Sequence, residues 1–259
     1  MTLFLVLFGL LVVFTIFAFS TLKRKPIRPF PISWEKALEK RVLFYQKLSV
    51  KEKENFKSRM MRFLAEVSIE GVQTKITEED KMLLAASAVI PVFGFGNWRY
   101  NNLSGILIYP DNFNQDLQFN AENEGRVISG LVGTGRFEKQ MILSKTSLHR
   151  AFSNKTDKHN TPVHEFVHLL DKIDGNTDGI PERFLGQEHI LPWINLMYEE
   201  MEAINNNDSD IRKYGGTKQA EFFAVASEYF FERPDLFKRK HPELYEMLRL
   251  CFQQDPAVR

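Results

Sequence analysis

His164, Glu165 and His168 are the residues whose types and spacing most clearly predict chemistry. Residues four positions apart lie on one face of an α-helix, so both imidazoles can bind a single ion. Glu165 follows the first imidazole and can reach a water on that ion. Neutral imidazoles at this spacing suit Zn²⁺, and the glutamate suits the general base of a zinc hydrolase. Two surface histidines that fall four residues apart by chance are the alternative.

The residues around this motif predict a buried helix. Thr161 is a suitable N-cap, Pro162 suits the first helical position, and Gly175 is a suitable stop. The apolar residues between them recur at helical spacing; they are Val163, Phe166, Val167, Leu170 and Ile173. Two histidines without partners on a buried helix would be costly, and binding to a metal would satisfy them.

A tetrahedral zinc held by two histidines needs a third protein ligand and keeps one position for water. The metzincin pattern requires a further histidine where this chain has Asp174, so that class is excluded. His189 and His241 are downstream alternatives. Each precedes a proline in a stretch that resembles a loop or turn, so each is expected to be an ordinary exposed histidine.

A second helix, predicted from about Thr217 to just before Pro234, carries two carboxylates. Glu221 and Glu228 are seven residues apart and therefore lie on one helix face. Carboxylates are rarely buried in an apolar helix without a partner, although a solvent-facing polar stripe would also explain them. The residues beside Glu221 are aromatic or small, so we predict Glu221 as the third ligand. Glu228 is expected either to support a ligand or to be exposed.

The composition narrows the function classes. The chain has 259 residues, 44% hydrophobic and 26% charged, which suits a globular protein with one substantial core. A net charge of +1 without a basic stripe gives no indication of nucleic-acid binding. Cys251 is the single cysteine, so an intrachain disulfide is excluded, and any metal site must use histidine and carboxylate.

Residues 1–22 predict a transmembrane anchor. They contain no charged side chain, and about 20 such residues span a bilayer core. A cleaved signal peptide is the alternative, but no basic residue precedes the apolar run and no clear cleavage site follows it. Residues 23–32 form a basic, proline-rich linker. Because positive charge is retained in the cytoplasm, we expect a single-pass anchor in the inner (cytoplasmic) membrane with the catalytic domain facing the cytoplasm.

Residues 33–259 are expected to form one α+β domain, mainly helical, with a small mixed sheet beside the histidine helix. Helices are predicted from Ser33 to Leu48, after a capping box at Ser49, and after Thr77. The predicted strands lie within 66–76 and at Ile106–Tyr109, Val127–Ile128 and Met141–Leu143. The glycine cluster from Gly130 to Gly135 is expected to form turns and is a candidate border of a substrate cleft. The last strand, at Gln140–Ser144, is expected to be an edge strand that binds substrate backbone.

Several segments together resemble the Mlc titration factor A family of zinc metallopeptidases. They are His164–Asp171, Tyr214-Gly215-Gly216, Ala220–Phe231 and Phe252–Pro256. The likeness extends from about residue 35 to the C-terminus. It implies a zincin-like metallopeptidase domain with a gluzincin-type site, in which His164, His168 and Glu221 bind one zinc ion and Glu165 is the base.

The spacing of Tyr214 and Glu221 is also similar to that in the catalytic domain of anthrax lethal factor. By that likeness Tyr214 would donate a hydrogen bond to the tetrahedral intermediate; a tyrosine in a glycine-rich turn is the alternative. Asp171, one turn beyond His168, is expected either to orient a ligand histidine or to form a surface ion pair.

The function that the resemblance implies is hydrolysis of peptide or protein substrates by a zinc-activated water with a glutamate general base, including aminopeptidase action on short peptides. A second hypothesis is a membrane-anchored regulatory protein that binds and sequesters a transcription regulator, because the family's namesake titrates the repressor Mlc. A structural zinc site without turnover is a third.

Overall fold

The computed structural model describes residues 26–114, 117–118, 128–133, 135–154 and 156–258. The predicted anchor, residues 1–22, and the first part of the predicted linker lie outside the described residues. Within the described part, no helix combines the length and the apolar character that crossing a membrane requires.

Helices make up most of the described residues, and a small mixed sheet accompanies them, as predicted. The helices are α1 (Ser33–Arg41), α2 (Leu43–Gln46), α3 (Val50–Glu66), α4 (Glu78–Val89), α5 (Lys145–Ala151), α6 (Thr161–Asp171), α7 (Gln187–Asn206), α8 (Gln219–Glu232), α9 (Pro234–Lys240) and α10 (Pro242–Phe252). The strands are β1 (Ser68–Gly71), β2 (Gly105–Tyr109), β3 (Gly130–Val132) and β4 (Gln140–Ser144). The single helix predicted from Ser33 to Leu48 is wrong, because Val42 has extended backbone angles that separate α1 from α2.

Side-chain caps begin α3 and α4 where the sequence predicts them. The Ser49 hydroxyl accepts the Glu52 backbone N–H, and the Glu52 carboxylate accepts the Ser49 backbone N–H. Thr77 and Asp80 form the same reciprocal pair at the start of α4. Each box satisfies two backbone donors that have no partner within the helix, which stabilises a helix by roughly 1 kcal/mol.

The four strands form one mixed sheet in the order β1-β2-β4-β3. β1, β2 and β4 are parallel, whereas β3 runs antiparallel to β4. The prediction that Gln140–Ser144 is an edge strand is wrong, because β4 is paired on both sides. An added peptide strand needs unpaired N–H and C=O groups, and at this side of the sheet β3 (Gly130–Val132) is the edge among the described strands.

The predicted strands lie close to their observed positions. β1 lies within the predicted 66–76 segment, and β4 extends one residue beyond Met141–Leu143 at each end. Ile128 pairs with Phe113 as an isolated antiparallel bridge rather than within a longer strand. Val127, the other residue of that predicted strand, lies outside the described residues.

α6 is buried and begins close to its predicted start. The Asn160 side chain accepts the Val163 N–H, so Asn160 is the N-cap and Thr161 is the first helical residue. Pro162 lies in the first turn, where a missing N–H costs nothing. A 3₁₀ turn continues the helix to Gly175, whose φ of 104° is in the left-handed region that glycine favours.

α8 packs against α6 in the centre of the core. All of its residues from Phe222 to Phe231 are buried. Phe223 stacks on Phe252 of α10, with ring centroids 5.9 Å apart, and meets Trp193 of α7 edge to face. Full burial of each such ring contributes about 2–3 kcal/mol, so α8 is a rigid support for the carboxylates it carries.

Candidate metal centre and cleft

α6 and α8 bring His164, His168 and Glu221 together. The Nε2 atoms of the two histidines, one turn apart on α6, are 3.0 Å apart. Glu221, in the first turn of α8, places Oε2 3.1 Å from Nε2 of His164 and 3.4 Å from Nε2 of His168. One ligand atom from each residue thus lies within 4.8 Å of the other two.

The donor chemistry of this cluster fits a divalent cation. Nδ1 of His164 donates to the Glu228 carboxylate, so a neutral His164 presents the lone pair of Nε2 to His168 and Glu221. Burial lowers the pKa of His164, but hydrogen bonds with Glu221 and Glu228 outweigh burial and raise that pKa to about 10. The cluster therefore favours positive charge at its centre. Two imidazoles and a carboxylate are ligands that zinc accepts.

Glu228 is 1% exposed and contacts the back of the cluster. It accepts hydrogen bonds from Nδ1 of His164 at 2.8 Å and from the backbone N–H of Asn160 at 2.6 Å, and it pairs with Arg212. Burial alone raises the pKa of Glu228, but Arg212 and His164 outweigh it, and the pKa is below its ordinary value. Of the two sequence-based expectations for Glu228, exposure is therefore wrong, and support of a ligand histidine agrees with the geometry.

Arg212 and Asn160 are site residues that sequence reasoning missed. A carboxylate buried in an apolar helix needs a counter-charge, and this need was the one signal that pointed to a residue such as Arg212. Nothing along the chain indicated which cation would supply the charge, because Arg212 is in a separate segment, 16 residues before Glu228.

Glu165 lies on the cleft side of α6 and is 4% exposed. Burial raises the pKa of its carboxyl to about 7, although His164 and a hydrogen bond from the backbone N–H of Val132 lower it. Gly130 of β3 leaves the space for this carboxylate, since a Cβ at Gly130 would lie 2.5 Å from Oε1 of Glu165. A carboxyl with a pKa near 7 can both accept and release a proton at neutral pH.

Tyr214 reaches the same site from the 3₁₀ turn Lys213–Gly216, directly before α8. Its ring lies nearly parallel to the His164 imidazole, with centroids 6.0 Å apart and planes 28° apart. The structure thus brings Tyr214 beside His164 and into the cleft that Glu165 also lines.

The alternative histidine ligands lie elsewhere among the described residues. His189 is in the first turn of α7, not in a loop, and is near Glu188. His241 is buried between Glu200 and Asp210, at 3.1 Å and 2.9 Å, so the expectation that it is exposed is wrong. Neither histidine belongs to the candidate cluster.

Asp171 has a structural role that neither sequence-based alternative described. It is 1% exposed, and both carboxylate oxygens accept the backbone N–H of Gly179, at 2.9 Å and 3.1 Å. Burial raises the pKa of Asp171 to about 7. Its carboxylate bonds to neither histidine of the cluster and forms no ion pair with a described residue. Asp171 instead holds the turn at Gly179, whose carbonyl accepts the indole N–H of Trp193.

A cleft of about 770 Å³ opens beside the cluster. His164, Glu165 and Tyr214 line it, together with Gly130 at the start of β3 and Arg150 at the end of α5. Its volume is in the range of sites that enclose small ligands, so it can hold a short peptide segment. The glycine cluster from Gly130 to Gly135 was expected to form turns, but this is wrong for its first residues, which belong to strand β3 (Gly130–Val132). Gly130 itself lines the cleft.

Comparison with known proteins places the chain in a family. The model of a family described as glucose-regulated metallo-peptidase M90 matches residues 19–253, which include all of α6 and α8. The chain belongs to this M90 metallopeptidase family. The resemblance that the motifs indicated is confirmed, and the family points to a metallopeptidase.

Several known proteins are similar to most of the chain. An uncharacterized protein of Synechocystis sp. is 30% identical over 244 residues, which are 89% of this chain and 87% of the relative. Mlc titration factor A of Klebsiella pneumoniae is 29% identical over 239 residues, 87% of each chain. Mlc titration factor A of Escherichia coli O7:K1 is 30% identical over 181 residues, 66% of each chain.

Proposed function

We propose that this M90 protein is a zinc-dependent peptidase in which His164, His168 and Glu221 hold one zinc ion. The proposal rests on one observation: two Nε2 atoms and a carboxylate oxygen converge beside the buried Glu165 in an open cleft. When bound, zinc would supply Lewis-acid polarisation of the scissile carbonyl and of a water.

The chain's own residues would perform the proton transfers. Glu165 takes a proton from the attacking water and delivers it to the leaving amine, which a pKa of about 7 suits in both directions. The Tyr214 hydroxyl donates a hydrogen bond to the developing oxyanion, a contact often worth about 3 kcal/mol. Glu228 holds His164 in the tautomer that presents Nε2. The outer edge of β3 binds substrate backbone.

Glu165→Gln tests this assignment directly. The amide has the same size but cannot act as a base, so hydrolysis should fall by roughly 10²–10⁴-fold. Zinc content, measured by elemental analysis of the full-length protein, should stay unchanged because Glu165 is not a proposed ligand. Retained hydrolysis would remove Glu165 from the mechanism.

Glu221→Ala is the complementary change at the ligand set. It should lose most of the bound zinc as well as activity, because the remaining two imidazoles leave the ion without its carboxylate ligand. Glu202→Ala, an exposed position on α7, is the matched control and should keep both. Full zinc content in Glu221→Ala would exclude Glu221 as a ligand.

We propose, within this activity, aminopeptidase action on short peptides. Peptides with a free N-terminus should be shortened from that end, whereas their N-acetylated counterparts should resist. Mass spectrometry of the products separates this outcome from internal cleavage, which would indicate an endopeptidase.

A second candidate function rests on the name of the relatives. Mlc titration factor A matches 87% of this chain, and its name states that it titrates Mlc. The corresponding role here is binding and sequestration of a transcription regulator. Capture of purified Mlc by the Glu165→Gln variant, as strongly as by the wild type, would support binding that does not depend on cleavage.

A further inference from the structure

The cleft beside the candidate metal centre contains an arginine that pairs with no carboxylate among the described residues. Arg150, near the C-terminal end of α5, lines the cleft and is exposed. Its guanidinium forms neither an ion pair nor a hydrogen bond with any described residue. Arg212, the second arginine among the described residues of the cleft, is instead neutralised by the buried Glu228.

An imidazole lies near the two arginines. His159 also lines the cleft, and both guanidinium groups are within electrostatic range of its ring. Burial, Arg212 and Arg150 together lower the pKa of His159 despite nearby carboxylates. A neutral imidazole there can donate one hydrogen bond without adding charge.

The described acidic residues that line the cleft have other hydrogen-bond partners. Glu165 accepts the Val132 N–H, and Glu228 pairs with Arg212 and His164. Asp157, the carboxylate nearest His159 in sequence, lies on the same wall but accepts the backbone N–H of the next residue. Among the described residues, none of these carboxylates is bonded to the guanidinium of Arg150, which lies at the cleft and is exposed to solvent.

A guanidinium binds a carboxylate through two parallel N–H···O bonds, which is the strongest pairing open to an arginine on a peptide. We propose that Arg150, together with His159, binds a carboxylate of the peptide substrate. This inference rests on the proposed peptidase function. The carboxylate comes either from the substrate's C-terminus or from an acidic side chain, and the two sources share the same recognition chemistry.

The test uses pentaalanine peptides in which one position is Glu or Gln, each prepared with a free or an amidated C-terminus. Their affinities for the full-length zinc-loaded Glu165→Gln protein are measured by isothermal titration calorimetry, so that binding is read without turnover. Arg150→Gln removes the charge, and Arg150→Lys keeps it. Arg183→Gln, at an exposed arginine that does not line the cleft, is the matched control.

The protein with Arg150 should bind carboxylate-bearing peptides about five- to tenfold more tightly than their neutral counterparts. Arg150→Gln should abolish this preference, Arg150→Lys should keep part of it, and Arg183→Gln should leave it intact. A preference for the free acid over the amide identifies the C-terminus as the source, and a preference for Glu over Gln identifies the side chain. Equal affinities for all peptides, or a preference that survives Arg150→Gln, would overturn the inference.

Hydrolysis of the same peptides by the wild type separates this inference from the proposed function. Carboxylate preference that depends on Arg150, without hydrolysis of any peptide, would overturn the peptidase proposal and leave the binding site standing. Hydrolysis without any preference for a carboxylate would overturn the binding-site inference and leave the peptidase proposal standing.

Discussion

At the scale of single residues, the two candidate ligand histidines are held unequally. His164 has a hydrogen-bonding partner on both nitrogens, Glu228 at Nδ1 and Glu221 at Nε2. The buried Nδ1 of His168 has no hydrogen-bond partner among the described residues. The orientation of His164 is therefore set before any ion arrives, and Glu228 sets it.

This difference predicts the effect of Glu228→Gln. An amide can donate to Nδ1 as well as accept from it, so the preference for the tautomer with a free Nε2 lone pair is lost. We expect zinc affinity to fall about 10–100-fold. Competition with a chelator of known affinity measures the change, and Glu202→Gln is the exposed control. An unchanged zinc affinity would mean that packing alone orients His164.

At the scale of elements, the turn that carries Arg212 and Tyr214 is held at its start by hydrogen bonds to the Asp210 carboxylate. The Asp210 carboxylate accepts hydrogen bonds from four side chains in three other segments. These donors are Lys158 at 2.6 Å, Tyr229 at 2.9 Å, Lys240 at 2.9 Å and His241 at 2.9 Å. Burial raises the pKa of Asp210, but these hydrogen bonds outweigh it and hold the pKa well below its ordinary value.

Asp210→Asn should therefore destabilise the protein in a pH-dependent manner. A carboxylate whose folded pKa is depressed stabilises the fold above its unfolded pKa of about 4, and this contribution disappears as the pH falls toward the folded pKa. We expect a loss of about 1–3 kcal/mol at pH 7, shrinking as the pH falls below about 4. Urea denaturation at several pH values measures the difference. Asp208→Asn, an exposed neighbour, should show neither the loss nor the trend.

The elements also explain why one helix carries both carboxylates of the site. Glu221 and Glu228 are two turns apart on α8 and meet opposite nitrogens of the same imidazole. The aromatic residues between them fill the core on the other faces of the helix. A shift of α8 by one residue would break both contacts at once, so the core packing also sets the metal geometry.

At the scale of the whole molecule, the apolar segment 1–22 predicts where the protein works. We propose that the full-length chain is an integral protein of the inner (cytoplasmic) membrane with its catalytic domain in the cytoplasm. It should sediment with membranes and resist alkaline extraction, because some 20 apolar residues partition into a bilayer core. Protease added to intact spheroplasts should leave the domain uncut.

A chain without residues 1–25 is the control for that experiment and should stay in the supernatant. Sedimentation of this shortened chain would show that the membrane contact lies elsewhere. Cleavage by external protease would instead reverse the proposed orientation.

Local sequence patterns predicted much of the fold and part of the candidate site. The capping boxes at Ser49 and Thr77 act between residues three apart, so the sequence displays both partners. Prediction failed where the outcome depended on distant pairing. β4 is internal because β3, which precedes it in the chain, pairs on its outer side, and no feature of Gln140–Ser144 itself records that neighbour.

The sequence by itself determined the features that follow from the helical repeat. His164 and His168 share a face because they are four residues apart, and Glu221 and Glu228 do so because they are seven apart. Only the tertiary structure decided which groups complete the site: Arg212 behind Glu228, Gly130 against Glu165, and Arg150 in the cleft. Those contacts join segments far apart in the chain. They depend on how buried faces and charges fit together in the core, which the helical or strand period of a single segment does not record.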